Sequence, residues 1–160
     1  MCDSHERDVA VVLTPASLSD LEDLVAIRID AMGESLERIG RFDPHRARQR
    51  FVEGFDPDST RRIEVADELV GFVVLKKLRG ELLLDHLYVR PTAQGVGVGS
   101  RVLALIFKEA DETGQPVRVG ALKESASNRF YLRHGFQFTG SSEFDNDYIR
   151  PSTNSACINE

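Results

Sequence analysis

Cysteine is nearly absent: Cys2 and Cys157 are the only two in 160 residues, one near each end. Two terminal thiols make no disulfide framework, so a reducing compartment is expected. Cys2 and His5 are separated by two residues, but no second pair at ligand spacing accompanies them, and His45, His86 and His134 are scattered. No metal is expected. A surplus of basic residues is also missing, since 20 Lys and Arg stand against 26 Asp and Glu for a net charge of −6. That balance argues against nucleic acid as a partner, because neutralising phosphates needs excess Lys and Arg. No apolar run approaches the roughly 20 residues of a membrane span, and no secretory leader is expected. The expected location is the cytoplasm, without a membrane partner.

What is there reads as one globular domain over residues 1–150 with a polar tail at 151–160. The chain is 41% hydrophobic and 29% charged, which suits a folded rather than a disordered protein. It has no internal repeat and no Gly/Ser- or Pro-rich linker. "VAVVL" (Val9–Leu13) reads as a strand, and "SLSDLEDLVAIRIDAM" as a helix capped by Ser19 or Asp20 and ended by Gly33. A second helix starts at Pro44. Three strands follow at about Arg61–Ala66, Leu69–Lys77 and Glu81–Val89, with Asp67-Glu68 and Arg79-Gly80 as turns between antiparallel neighbours. A helix from about Gly97 to Thr113 is stopped by Gly114. The strand "PVRVGAL", a helix in "SASNRFYLRHG" with Ser125 as its cap, and the strands "FQFTG" and "FDNDYIR" complete the chain. The order β-α-α-β-β-β-α-β-α-β-β demands a mixed α/β sheet covered by helices.

The richest stretch is "PTAQGVGVGSRVL", with Gly95, Gly97 and Gly99 alternating between a strand and a helix. A dinucleotide fingerprint is excluded, because Ser100 and Val102 occupy the positions a third glycine needs. A P-loop is excluded because Ser100-Arg101 follows instead of Lys-Ser/Thr. Gln94-x-x-Gly97-x-Gly99 remains. Backbone amides without Cβ atoms in the way converge on an anion at a helix start.

"VRPTAQGVGVGSRVL" resembles the acetyl-CoA signature of the GCN5-related N-acetyltransferases, a strand ending Val-x-Pro followed by (Arg/Gln)-x-x-Gly-x-(Gly/Ala). "ESASNRFYLRHGF" is similar to that family's late helix, matching at Phe130, Tyr131, Gly135 and Phe136. Ser127 replaces the usual alanine, and the family's asparagine falls on Glu124. The resemblance spans roughly Val9 to Ile149. It implies a GNAT-type α/β (α+β) fold: a mixed, mostly antiparallel twisted sheet of about seven strands, splayed between strands 4 and 5, with about four helices. It implies acetyl-CoA as co-substrate, held at its pyrophosphate by Gln94, Gly95, Val96, Gly97, Val98, Gly99 and Ser100. The pantetheine arm would lie on backbone groups of Leu87, Tyr88 and Val89, with Asn128 as a further polar contact.

Acetyl transfer to an amine needs a base, an oxyanion partner and a proton for the leaving thiolate. Tyr131 sits where family members place the tyrosine that protonates the thiolate. Strand alternation puts Asp85 with Leu83, Leu87 and Val89, and His86 on the other face with Leu84 and Tyr88. The resemblance makes the first parity the cofactor-facing one, so Asp85 is the expected base, with His86 or a water as alternatives. Arg28, Arg41, Arg46, Arg48 and Arg50 are candidates to clamp an acceptor carboxylate or simply coat a solvated helix face. The expected activity is N-acetylation of a small-molecule or amino-acid-like amine. Acetylation of a protein N-terminus or lysine, a non-catalytic acetyl-CoA sensor, and a homodimer stay open.

Overall fold

The computed structural model describes residues 10–38 and 43–152. Val9, Arg41, the Cys2/His5 pair, Cys157 and most of the polar tail lie outside the described residues. Seven strands form one mixed sheet: β1 (Val11–Pro15), β2 (Thr60–Val65), β3 (Glu68–Leu78), β4 (Glu81–Val89), β5 (Val117–Leu122), β6 (Gln137–Ser141) and β7 (Asp145–Arg150). Among the described residues, four α-helices accompany them: α1 (Leu21–Arg38), α2 (Pro44–Gly54), α3 (Val98–Thr113) and α4 (Ser127–Arg133). The strand order is β1-β2-β3-β4-β5-β7-β6. β1–β2, β2–β3, β5–β7 and β6–β7 are antiparallel. β4 and β5 are parallel and pair only over Leu82–Leu84 and Val117–Val119, although β4 continues to Val89 and β5 to Leu122. The expected element order and mixed sheet are those of the structure.

The described residues separate into two compact units, one made of residues 10–38 and 43–74 with His86–Val102, the other of Leu75–Asp85 with residues 103–152. In the first, Leu24, Val25 and Ile27 of α1 and Phe51 of α2 form a core with Phe72 and Val74 of β3. β3 is buried without a break from Val70 to Leu75, the pattern of a strand covered on both faces. Arg62 of β2 holds the carboxylates of Asp20 and Glu64, which ties the start of α1 to the sheet. In the second unit, Val117, Val119 and Ala121 of β5 are buried while Arg118 and Gly120 between them are exposed, the alternation of a strand covered on one face.

Four local expectations are corrected. The first helical segment is capped earlier than Ser19 or Asp20: the Ser17 N–H donates to the Asp20 carboxylate at 2.9 Å, and a 3-10 turn (Leu18–Asp20) leads into α1. Gly33 does not end α1, which runs on to Arg38. A glycine in a helix interior costs only about 1 kcal/mol relative to alanine, and the residues after it are good helix formers. The β2–β3 turn is Ala66-Asp67 rather than Asp67-Glu68, with φ of 53° and 67°, as a two-residue hairpin of type I′ requires. Ser125 does not cap α4: the N-cap position falls on Ala126, which has no side-chain acceptor, and the Ser125 hydroxyl donates to the Leu122 carbonyl at 2.8 Å. Gly114 does stop α3: its φ is 69°, its N–H reaches Asp111 and that of Gln115 reaches Ala110, a Schellman motif.

Candidate active site

β4 ends at Val89, and a 3-10 turn over Pro91–Ala93 reverses the chain toward α3. Arg90 anchors the exit, its N–H donating to the Val70 carbonyl at 2.7 Å and its Nε to the Leu69 carbonyl at 3.0 Å. The Gln94 side-chain amide donates back to the Val89 carbonyl at 2.8 Å, closing the loop on the strand that precedes it. Gly95 and Gly97 then adopt φ of 85° and 94°. Nothing lies within 4 Å of a Cβ built on Gly95, so backbone conformation rather than crowding calls for glycine there. α3 opens at Val98, and its first intrahelical bond runs from Arg101 N–H to the Gly97 carbonyl at 3.1 Å. Its first turn holds no acidic side chain. A glycine-bearing loop entering the positive end of a 16-residue helix, with no carboxylate of its own there, suits a pyrophosphate.

Along β4, the Tyr88 ring packs on Phe72 at 5.5 Å and on His86 at 5.6 Å, while Val89 is buried. His86 also meets Phe51 edge-on at 6.1 Å, so it belongs to an aromatic cluster. Asp85 has a different environment: its carboxylate lies 3.1 Å from Lys76 Nζ on β3, with about a third of its side chain exposed.

α4 places Tyr131, which is 5% exposed. Its ring lies 5.3 Å from Phe136, 5.4 Å from Phe130 and 6.4 Å from Tyr148. Phe136 N–H donates to the Tyr131 carbonyl at 3.1 Å, and Gly135, with φ of 94°, ends the helix. Asn128 engages both ends of its amide within the protein. Its Nδ2 donates to the carbonyls of Leu122 and Ser125 at 2.8 and 2.9 Å, and its Oδ1 accepts from Tyr148 Oη and Asn146 Nδ2 at 2.7 and 2.9 Å. Glu124, at the position of the family's asparagine, has φ of 68°, a conformation asparagine adopts more readily than glutamate.

Of the five arginines considered for an acceptor carboxylate, Arg28 donates to the Ala47 carbonyl at 2.7 Å and lies over Phe51, joining α1 to α2. Arg48 pairs with Glu22. Arg46 and Arg50 are exposed on α2. Among the described residues, no group of three or more His, Cys, Asp or Glu is placed to hold a metal ion, and no helix is long and apolar enough to cross a membrane.

Two features escaped the sequence reading. Tyr148 and Asn146 meet Asn128 across 20 and 18 residues of chain, and nothing local signals such a contact. The other is Gly71 of β3, where a built Cβ would stand 2.2 Å from the Tyr88 carbonyl oxygen of β4; it was legible in principle, since an isolated glycine inside a strand often marks a close backbone approach.

Residues 59–138, half of the chain, match the family model of the acetyltransferase (GNAT) domain. The chain belongs to the GNAT acetyltransferases and is an acyltransferase. Its fold is similar to that of the PaiA N-acetyltransferase from Thermoplasma acidophilum, solved with coenzyme A, at a TM-score of 0.75 and 16% identity over 89% of this chain and 99% of that one. An acetyltransferase from Thermus thermophilus gives a TM-score of 0.71 at 18% identity, covering 89% and 97%. The ribosomal-protein-S18-alanine N-acetyltransferase from Escherichia coli gives 0.65 at 14% identity, covering 88% and 91%. A comparison with curated proteins finds no match.

Proposed function

We propose that this chain transfers the acetyl group of acetyl-CoA to a primary amine of a small-molecule or amino-acid-like acceptor, by direct attack in a ternary complex. The observation that carries the reading is the loop from Gln94 to Gly99, whose two positive-φ glycines lead into the carboxylate-free first turn of α3. In this reading the backbone amides there hold the coenzyme's pyrophosphate, and the backbone of Leu87–Val89 holds the pantetheine arm. The bound thioester supplies the acyl group. Asp85 accepts the proton of the acceptor ammonium, directly or through water, so that the nitrogen lone pair forms the new C–N bond. Tyr131 gives its phenolic proton to sulfur as the C–S bond breaks, and solvent returns a proton to the phenol. A phenol with pKa of about 10 donates to a thiolate whose conjugate acid is near 8.5 when the two are held close.

Two measurements test this. Calorimetric titration with acetyl-CoA should show binding that Gly97→Val weakens, since a β-branched residue is poorly accommodated at that φ. Unchanged affinity in the variant removes the loop from the site. Thiol release from acetyl-CoA should accelerate with particular members of a panel of small amines and amino acids. Release only with peptides shifts the reading to a protein acetyltransferase. Binding without release for any acceptor leaves an acetyl-CoA sensor.

A further inference from the structure

We propose that Asn128, through Tyr148 and Asn146, is the positioning residue for Tyr131; the inference rests on Tyr131 being the acid of the proposed reaction. α4 has only seven residues, too few to set a side chain by its own helical stability. Its placement therefore depends on what ties it down. At its start, the Leu122 carbonyl at the end of β5 accepts from Ser125 N–H at 3.1 Å, Ser125 Oγ at 2.8 Å and Asn128 Nδ2 at 2.8 Å. Asn128 then turns its carbonyl oxygen to β7, where Tyr148 Oη donates at 2.7 Å and Asn146 Nδ2 at 2.9 Å. One side chain thus joins the end of β5, the first turn of α4 and the middle of β7.

Tyr131 follows Asn128 by three residues, which puts the two on neighbouring positions of one helix face. Tyr148 is the link between them. Its hydroxyl donates to Asn128, while its ring lies 6.4 Å from that of Tyr131, and the residue as a whole is buried. Fixing the Tyr148 hydroxyl fixes the ring beside the acid, and fixing Asn128 fixes the turn that carries it. Such precision matters for a proton donor, because a displacement of about 1 Å at a reacting group costs up to about 10²-fold in rate. The network adds no charge and needs no contact with substrate. Asn128 and Tyr148 act on the reaction through Tyr131.

A double-mutant cycle on turnover separates this role from general stabilisation. The probe is acetyl-CoA with the fastest amine of the screen or, if none reacts, its slow hydrolysis, read by thiol release. Tyr148→Phe keeps the ring and removes one hydrogen bond; Asn146→Ala removes the other and leaves Tyr148 intact. In the wild-type background each should lower kcat by about three- to tenfold, with KM for acetyl-CoA within about twofold. In a Tyr131→Phe background the same changes should cost less than about twofold, since no acid remains to misplace. An equal factor in both backgrounds, or wild-type kcat in both variants beside a slow Tyr131→Phe enzyme, overturns the positioning role alone. Wild-type turnover in Tyr131→Phe removes the acid itself, and the positioning role with it.

Discussion

Gly71 of β3 lies so close to β4 that a Cβ built on it would stand 2.2 Å from the Tyr88 carbonyl oxygen and 3.1 Å from the Val89 Cα. Both obstacles are backbone atoms, and they belong to the segment proposed to carry the pantetheine arm. Gly71→Ala must therefore displace a strand rather than a side chain. Overpacking of this kind costs about 1–3 kcal/mol. The expected outcome is a lower thermal midpoint together with a raised KM for acetyl-CoA. Gly54→Ala is the control: it sits in α2 with nothing within 4 Å of its built Cβ, and should be neutral or stabilising by up to about 1 kcal/mol. Equal midpoints for the Gly71 variant and the wild type would show that β4 yields at no cost.

The Ala66-Asp67 turn holds two residues with Cβ atoms at φ of 53° and 67°, where Asn-Gly is the favoured pair. Replacing Ala66→Asn and Asp67→Gly together should stabilise the protein by about 1 kcal/mol, mainly by relieving that conformational cost. Urea denaturation measures it. A midpoint that falls would mean the turn residues serve contacts beyond the hairpin.

Asp85 and His86 are neighbours with different surroundings, and their substitutions should separate. Asp85 meets Lys76 in a partly exposed pair, worth no more than about 1 kcal/mol. Asp85→Asn should accordingly leave the thermal midpoint nearly unchanged while lowering turnover strongly, by about 10²-fold if it is the general base. His86 lies between Tyr88 and Phe51, so His86→Gln should cost stability and leave most of the turnover. The reverse pattern, a silent Asp85 variant and an inactive but folded His86 variant, would assign the base to His86.

The Asp145 carboxyl is held above its ordinary value of 3.8, first by burial and then by the nearby charge of Asp147. A raised folded-state pKa means the folded chain binds the proton more tightly than the unfolded one. The resulting penalty is absent below the ordinary value and develops as pH rises through the raised one. Asp145→Asn should therefore raise the thermal midpoint at neutral pH, and its advantage should shrink as pH is lowered toward 3.8. An advantage independent of pH would trace to packing instead.

Much of this protein was determined by its sequence alone. Hydrophobic alternation, continuous apolar runs and punctuating glycines set the element order, because each acts within a few residues along the chain. The glycine turn between β4 and α3 was legible for the same reason: it depends on backbone conformation, and Gly95 and Gly97, which adopt positive φ there, lie close together in sequence. Helix and turn boundaries were less secure. Gly33 carries the same letter as Gly114, but only Gly114 enters the left-handed region that ends a helix. Which glycine does so depends on whether the following residues gain more by continuing the helix or by leaving it. The side-chain environments were decided by tertiary structure. Asn128 finds its partners in Tyr148 and Asn146 only once β7 pairs with β5, and Gly71 meets Tyr88 only once β3 lies beside β4. Hydrogen bonds and close backbone approaches act over about 3 Å, so residues remote in the chain acquire these roles only when the sheet brings them together.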